Sequence, residues 1–361
     1  MLVLHIGPHK TATTYLQGNF YRNRARLLER GWLYPLTGER VKIAHHDVSD
    51  YPDRILDGTS KFNAELERIG NRAKSEGLNV LLSSEGFRRW RPKHFQKIRA
   101  LLRADDLHIV YTIRDPLSTF HSFWAQQVKN GSTISLPELF EQHFRDPLNS
   151  HLVNPVQEIE PLLGQPGIEL TVLLFDEMRR RKLDIFTAFM EQVLQIHDVA
   201  PVSAETRNER LPIEMTEFIR AINPLAKLQP AKGKISIGTA VRLFLYPWEK
   251  KAVIKAMHES GALRTMTVSR DSLELGGIEE RIIERLSPYL WPAPASGRIF
   301  SAEPGQWVHY DADALRQDPQ VRRLMDKALK KTGHDSLWIR NANRCFGMAI
   351  ALRRWKKRLR S

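Results

Sequence analysis

The chain has 361 residues, 42% hydrophobic and 27% charged, which excludes a disordered or low-complexity polymer and provides enough apolar surface for one large domain or two modest ones. No apolar run approaches the roughly 18 residues of a membrane span, and a single cysteine, Cys345, excludes an internal disulfide and suits a reducing compartment. The net charge of +14 is uneven: residues 337–361 hold eight Lys or Arg and no acid, which leaves +6 for the body.

The chain opens with Leu2-Val3-Leu4-His5-Ile6, an apolar run that reads as a buried strand and stops at Gly7-Pro8. The run is too short for a signal peptide, so a cytoplasmic location is expected. A helix follows, with Tyr15, Leu16 and Phe20 on one side, Leu27 and Leu28 beyond, and Gly31 as its cap. Strand, tight loop and helix aim backbone N–H groups and a positive helix end at an anion. Lys10 and the hydroxyls of Thr11, Thr13 and Thr14 add charge and donors there. The loop is therefore expected to hold phosphate. A Walker A loop ending at Lys10 would need glycine at positions 4 and 9, which are Leu4 and His9.

Residues 32–57 read as loop, with Pro35, Gly38 and Pro52; they include Arg40, Lys42 and the pair His45-His46. No carboxylate or Cys completes a metal-ligand spacing there, so the histidines are expected at the surface or in an acceptor cleft. Residues 60–76 follow as a helix. Val80-Leu81-Leu82 is a short strand with Glu85 at its carboxyl end, where ligands bind in open α/β sheets. Pro92 opens another helix. The β-branched run Leu107–Ile113 is a third buried strand, ended by Arg114, and Pro116 opens the next helix. Arg114 at the strand end and Ser122 two turns along that helix can converge on one phosphate.

Taken together, these stretches resemble the sulfotransferases that use 3′-phosphoadenosine 5′-phosphosulfate. His9-Lys10-Thr11-Ala12-Thr13-Thr14-Tyr15 is similar to the family's 5′-phosphosulfate loop, Pro-Lys-Ser/Thr-Gly-Thr-Thr, with His9 for the usual Pro and Ala12 for the usual Gly. Arg114-Asp115-Pro116 followed by Ser122 resembles its 3′-phosphate motif, with the same spacing of eight. Ser83-Ser84-Glu85 lies where the family carries its catalytic base, without the accompanying Lys. The likeness covers residues 1–128.

The resemblance implies a three-layer α/β/α fold with a mostly parallel central sheet, of the P-loop NTPase-like sulfotransferase kind, plus additional helices. It implies metal-free transfer of a sulfuryl group to an acceptor hydroxyl on a glycan, a glycolipid or another compound, leaving 3′-phosphoadenosine 5′-phosphate. Lys10 and Glu85 would be catalytic, with His45 or His46 as the alternative base, and a Glu85 beside sulfate would titrate nearer neutrality. The loop residues 9–15, Arg114 and Ser122 would hold the donor. Two alternatives stay open at this point: a non-catalytic nucleotide-binding protein, and a phosphotransferase, for which the sequence shows neither a Walker loop nor Mg²⁺ ligands.

Further on, Glu169–Leu174 reads as a fourth strand and 183–194 as a helix. Residues 205–290 read as largely helical, with Lys232-Gly233-Lys234 as a weak second match to the family's 3′-phosphate segment, and 288–305 as a long loop. One domain is expected over 1–336. Residues 337–361 read as a basic amphipathic tail, with Phe346, Ala349, Ile350 and Leu359 on one helical side, suited to an anionic membrane surface. No nucleic-acid-binding motif accompanies the charge, so nucleic acid is not an expected partner.

Overall fold

In the computed structural model, the apolar run at the start of the chain is the strand β1 (Leu2–His5), laid between two later strands. The structure describes residues 1–8, 10–37, 43–202, 211–225, 238–239, 241, 245–268, 275–295, 298–300 and 305–331. The sheet comprises β1, β2 (Trp32–Leu33), β3 (Asn79–Ser83), β4 (Leu107–Ile113), β5 (Ile168–Leu174) and β7 (Leu290–Trp291). Its order is β2-β3-β1-β4-β5-β7, and every pairing is parallel. Leu2 stands opposite Val80 of β3 and Leu107 of β4. Leu2, Val3 and Leu4 are wholly buried, as befits a central strand covered on both faces.

One face carries Val3, Leu81, Val110 and Leu173 into a cluster with Leu16 and Phe20 of the helix Thr13–Arg22. Phe20 meets Phe189 at 4.9 Å and Phe186 at 5.6 Å, both from the helix Ile185–Gln192. That helix starts where Asp184 accepts the N–H groups of Phe186 and Thr187. Alternation along the strands turns Leu2, Leu4 and Leu82 to the other face. The chain passes from β1 to the edge strand β2, comes back to β3 beside β1, and then crosses to the far side of β1 as β4. The loops leaving β1 and β4 therefore diverge, which opens a crevice at the carboxyl ends of these strands. This is the expected three-layer α/β/α architecture.

Several expected elements differ in the structure; the helix expected to run on to Leu28 is broken at Asn23 into Thr13–Arg22 and Arg24–Glu29. Residues 32–57 are not a plain loop: they supply β2 and the short helices His46–Ser49 and Pro52–Leu56. The Pro-rich 288–305 contributes the edge strand β7. A two-residue strand has no period to read, and it becomes a strand only because its neighbour offers backbone partners. Within 205–290 lies β6 (Leu263–Val268), which pairs antiparallel with β8 (Gly305–Tyr310).

The chain divides into two compact units. The first combines 1–120, 143–208 and 269–303 and holds the parallel sheet; the second combines 121–142, 209–268 and 304–361. The second unit has a core of its own, with Phe218, Ile222, Met257, Val321 and Met325 buried. Its ribbon is pinned to the helix Ile213–Ile222 by buried bonds: Arg220 donates to the Tyr310 carbonyl (2.7 Å), and the Tyr310 N–H donates to Glu217 (3.1 Å). Among the described residues no helix is long and apolar enough to cross a membrane. Lys232-Gly233-Lys234 and the tail 337–361 lie outside the described residues.

Candidate active site

The crevice is built around the loop between β1 and the helix Thr13–Arg22. Gly7 leaves the strand in a tight place: a β-carbon there would stand 3.1 Å from His5 Nε2 and 3.3 Å from Thr112 Oγ1. The Thr11 hydroxyl donates to the Pro8 carbonyl (2.7 Å) and closes the turn. Lys10 and Ala12 both adopt left-handed backbone, at φ 74° and 60°. Ala12 is the helix N-cap, and its carbonyl accepts the Leu16 N–H at 3.0 Å. The resembling loops carry glycine at this position, and the backbone takes the glycine conformation although a methyl group is present.

A left-handed Ala costs roughly 1–2 kcal/mol, partly offset in a Gly variant by the greater freedom of its unfolded chain. Ala12→Gly is therefore expected to stabilise the protein by about 1 kcal/mol, read as a raised denaturant midpoint at unchanged slope. A midpoint that falls would show that the methyl group, not the backbone, holds the loop.

Arg114 emerges from the end of β4 and donates from Nη1 to the Lys10 carbonyl (2.5 Å), while its guanidinium lies 5.1 Å from the centre of the Phe175 ring. It thus braces the loop after β1 directly. Asp115 caps the helix Pro116–Lys129 by accepting the N–H groups of Leu117 and Ser118. Its own N–H donates to Asp176 Oδ2 at 2.6 Å. Asp176 stands at the carboxyl end of β5, and burial raises its pKa, against the pull of the Asp115 N–H. Asp176 was not expected in the site; the available signal was its position two residues past the end of β5. Ser122 is carried two turns along Pro116–Lys129, half-buried, in the second unit.

Glu85, from the end of β3, is only 6% exposed. It begins a 3₁₀ turn, Glu85–Arg89, for which Ser84 is the cap. Its Oε1 accepts the Thr13 hydroxyl (2.5 Å), its Oε2 accepts the Gln17 amide (3.2 Å), and His46 Nε2 lies 3.7 Å from Oε2. Thr13 and Gln17 sit one helical turn apart in the helix that starts at the loop, so the carboxylate and the loop are locked together. The Thr13 hydroxyl is consequently committed to Glu85, whereas Thr14 is exposed.

His45 corrects the expectation of a cleft or surface residue. It is 1% exposed; Nδ1 accepts the Ser83 N–H (2.9 Å), and Nε2 faces the Pro35 carbonyl at 2.9 Å and so carries the proton. Both nitrogens are used by the fold, which makes His45 a strut rather than a base or a metal ligand. His46 lies beside the site, its Nδ1 2.8 Å from Ser84 Oγ and its side chain about a third exposed (32%). Tyr15, expected at the donor, donates its hydroxyl to Asp184 (2.7 Å) and thereby ties the loop helix to Ile185–Gln192. Burial and Asp184 raise its pKa. His9 lies outside the described residues. Among the described residues no three His, Cys, Asp or Glu side chains cluster as a metal site would require.

Burial lowers both His5 and His45 from the ordinary 6.5 to about 4. The unfolded chain takes up these protons near pH 6.5 and the folded chain only near 4. Their stabilisation is therefore complete above 6.5 and drains as pH falls toward 4, by roughly 3 kcal/mol per histidine. Chemical denaturation at pH 7 and pH 5 checks this: a flat profile would mean that the rings are charged in the fold.

No family model, curated protein or solved structure matches this chain.

Proposed function

We propose that the first unit transfers a sulfuryl group from 3′-phosphoadenosine 5′-phosphosulfate to an acceptor hydroxyl. The observation that carries this reading is the meeting of three strand ends. The left-handed loop with Lys10 follows β1, Glu85 follows β3, and Arg114 follows β4 with a direct bond to the loop. The donor fits such a cradle, because the glycine-like backbone at Ala12 and the free N–H groups of a helix start suit a phosphate-sized anion.

When bound, the donor supplies the sulfuryl group, and negative charge grows on the oxygen left behind on its 5′-phosphate. Lys10 and the start of the helix Thr13–Arg22 stabilise that charge, as donors preorganised toward a transition state do. Arg114 holds the loop and supplies the guanidinium that meets the phosphate. Glu85 takes the proton of the acceptor hydroxyl as the oxygen bonds to sulfur. Thr13 and Gln17 orient that carboxylate, and His46 Nε2 stands 3.7 Å from it. The acceptor class proposed is a glycan or glycolipid hydroxyl, and the location proposed is cytoplasmic.

The test is differential thermal stabilisation. 3′-Phosphoadenosine 5′-phosphate is expected to raise the melting temperature through binding linkage, and ATP is not. Equal stabilisation by ATP would favour a phosphotransferase and remove this reading.

A further inference from the structure

The charge of this protein is concentrated at one end. From Pro319 to Ser361 there are 13 Lys or Arg and two acids, so 13 − 2 = +11 of the total +14 lies in the last 43 residues. The described part of this segment is the helix Pro319–Lys331 of the second unit. It buries Val321, Met325 and Ala328 and turns Arg322, Arg323, Asp326, Lys327 and Lys330 outward. At 100° per residue these five cover an arc of about 140° opposite the buried side. Arg323, Asp326, Lys327 and Lys330 line a shallow groove along it.

Next to this face stands the most exposed aromatic pair among the described residues. Tyr246 and Trp248 are 52% and 64% exposed and stack on each other at 4.4 Å with 15° between the rings. They open the helix Pro247–Glu259, and the next residue, Glu249, both caps that helix at Tyr246 and pairs with Lys327 at 3.4 Å. The ion pair thus joins the start of one helix to the basic face of the other. Stacking also fixes both rings before any partner arrives, so little side-chain entropy remains to be lost.

We infer that this face, the basic arc of Pro319–Lys331 with Tyr246 and Trp248 at its edge, docks the second unit on an anionic lipid bilayer. The charge complements anionic headgroups. Tyr and Trp combine an apolar ring with a polar handle, the chemistry of the membrane–water boundary. The sequence that continues from this helix decides between polyanions: residues 337–361 add eight positive charges interleaved with Trp338, Phe346, Ile350, Trp355 and Leu359, apolar groups that a bilayer accepts and a phosphate backbone does not. The inference is independent of the chemistry of the first unit, and it extends the expectation for the tail to a folded surface.

The full chain is expected to co-sediment at physiological salt with vesicles of phosphatidylglycerol and phosphatidylcholine, and not with phosphatidylcholine alone. Arg323→Gln combined with Lys330→Gln leaves the Lys327–Glu249 pair in place and is expected to weaken partitioning about 30-fold. Trp248→Ala is expected to weaken it roughly tenfold, and brominated lipid is expected to quench less tryptophan emission in that variant. Circular dichroism and the melting temperature verify that both variants fold. Binding unchanged in both folded variants would leave docking to the tail alone and overturn the inference. So would equal binding to neutral vesicles, or a DNA duplex that strips the protein from anionic ones.

Discussion

Glu85→Gln is expected to leave the nucleotide-induced rise in melting temperature intact while lowering turnover by about 10²–10⁴, the usual worth of a general base. The substitution keeps the shape of the side chain. Its amide oxygen can still accept the Thr13 hydroxyl now bonded to Oε1, and only the basic oxygen facing Gln17 and His46 is lost. Initial rates with labelled sulfate donor across an acceptor panel, normalised to folded protein, measure the effect. A variant that loses stability or nucleotide binding at near-normal turnover per folded molecule would make Glu85 a structural carboxylate. The base would then be His46, since both nitrogens of His45 are bonded within the fold.

Arg114→Ala is expected to abolish the stabilisation by 3′-phosphoadenosine 5′-phosphate. Truncating one partner of a hydrogen-bonded charge pair costs on the order of 2–5 kcal/mol, which is about 30-fold or more in Kd. The same change removes the bond to the Lys10 carbonyl and the stacking on Phe175, so the loop also loses its brace. Arg114→Lys separates the two roles. Lysine keeps the charge but not the planar fork, so it is expected to restore part of the global stability and little of the nucleotide affinity. If Arg114→Ala binds the nucleotide as the parent does, the guanidinium serves the loop alone and the 3′-phosphate must be held elsewhere.

The local features of this protein were legible in its sequence. The runs at 2–6, 80–82, 107–113 and 169–174 announce buried strands because parallel strands covered on both faces admit few polar residues. Gly7-Pro8, Asp115-Pro116 and the position of Glu85 after a strand mark the carboxyl ends of those strands. Even the strain at Ala12 follows from comparing its place with the glycine of the resembling loop, since a turn conformation belongs to a few neighbouring residues.

What the sequence could not reveal was which distant groups meet. The bond from Thr13 to Glu85 spans 72 residues and that from Arg114 to Lys10 spans 104. Both exist only because β3 and β4 flank β1, an order that no local pattern encodes. The strands β2 and β7 are two residues long and are defined by their partners rather than by their own periodicity. Likewise His45 and His46 are neighbours in sequence, yet one is enclosed and neutral and the other stands beside Glu85. Composition fixes how much apolar surface must be covered; only the packing of the sheet and its helices decides which of two adjacent side chains is covered.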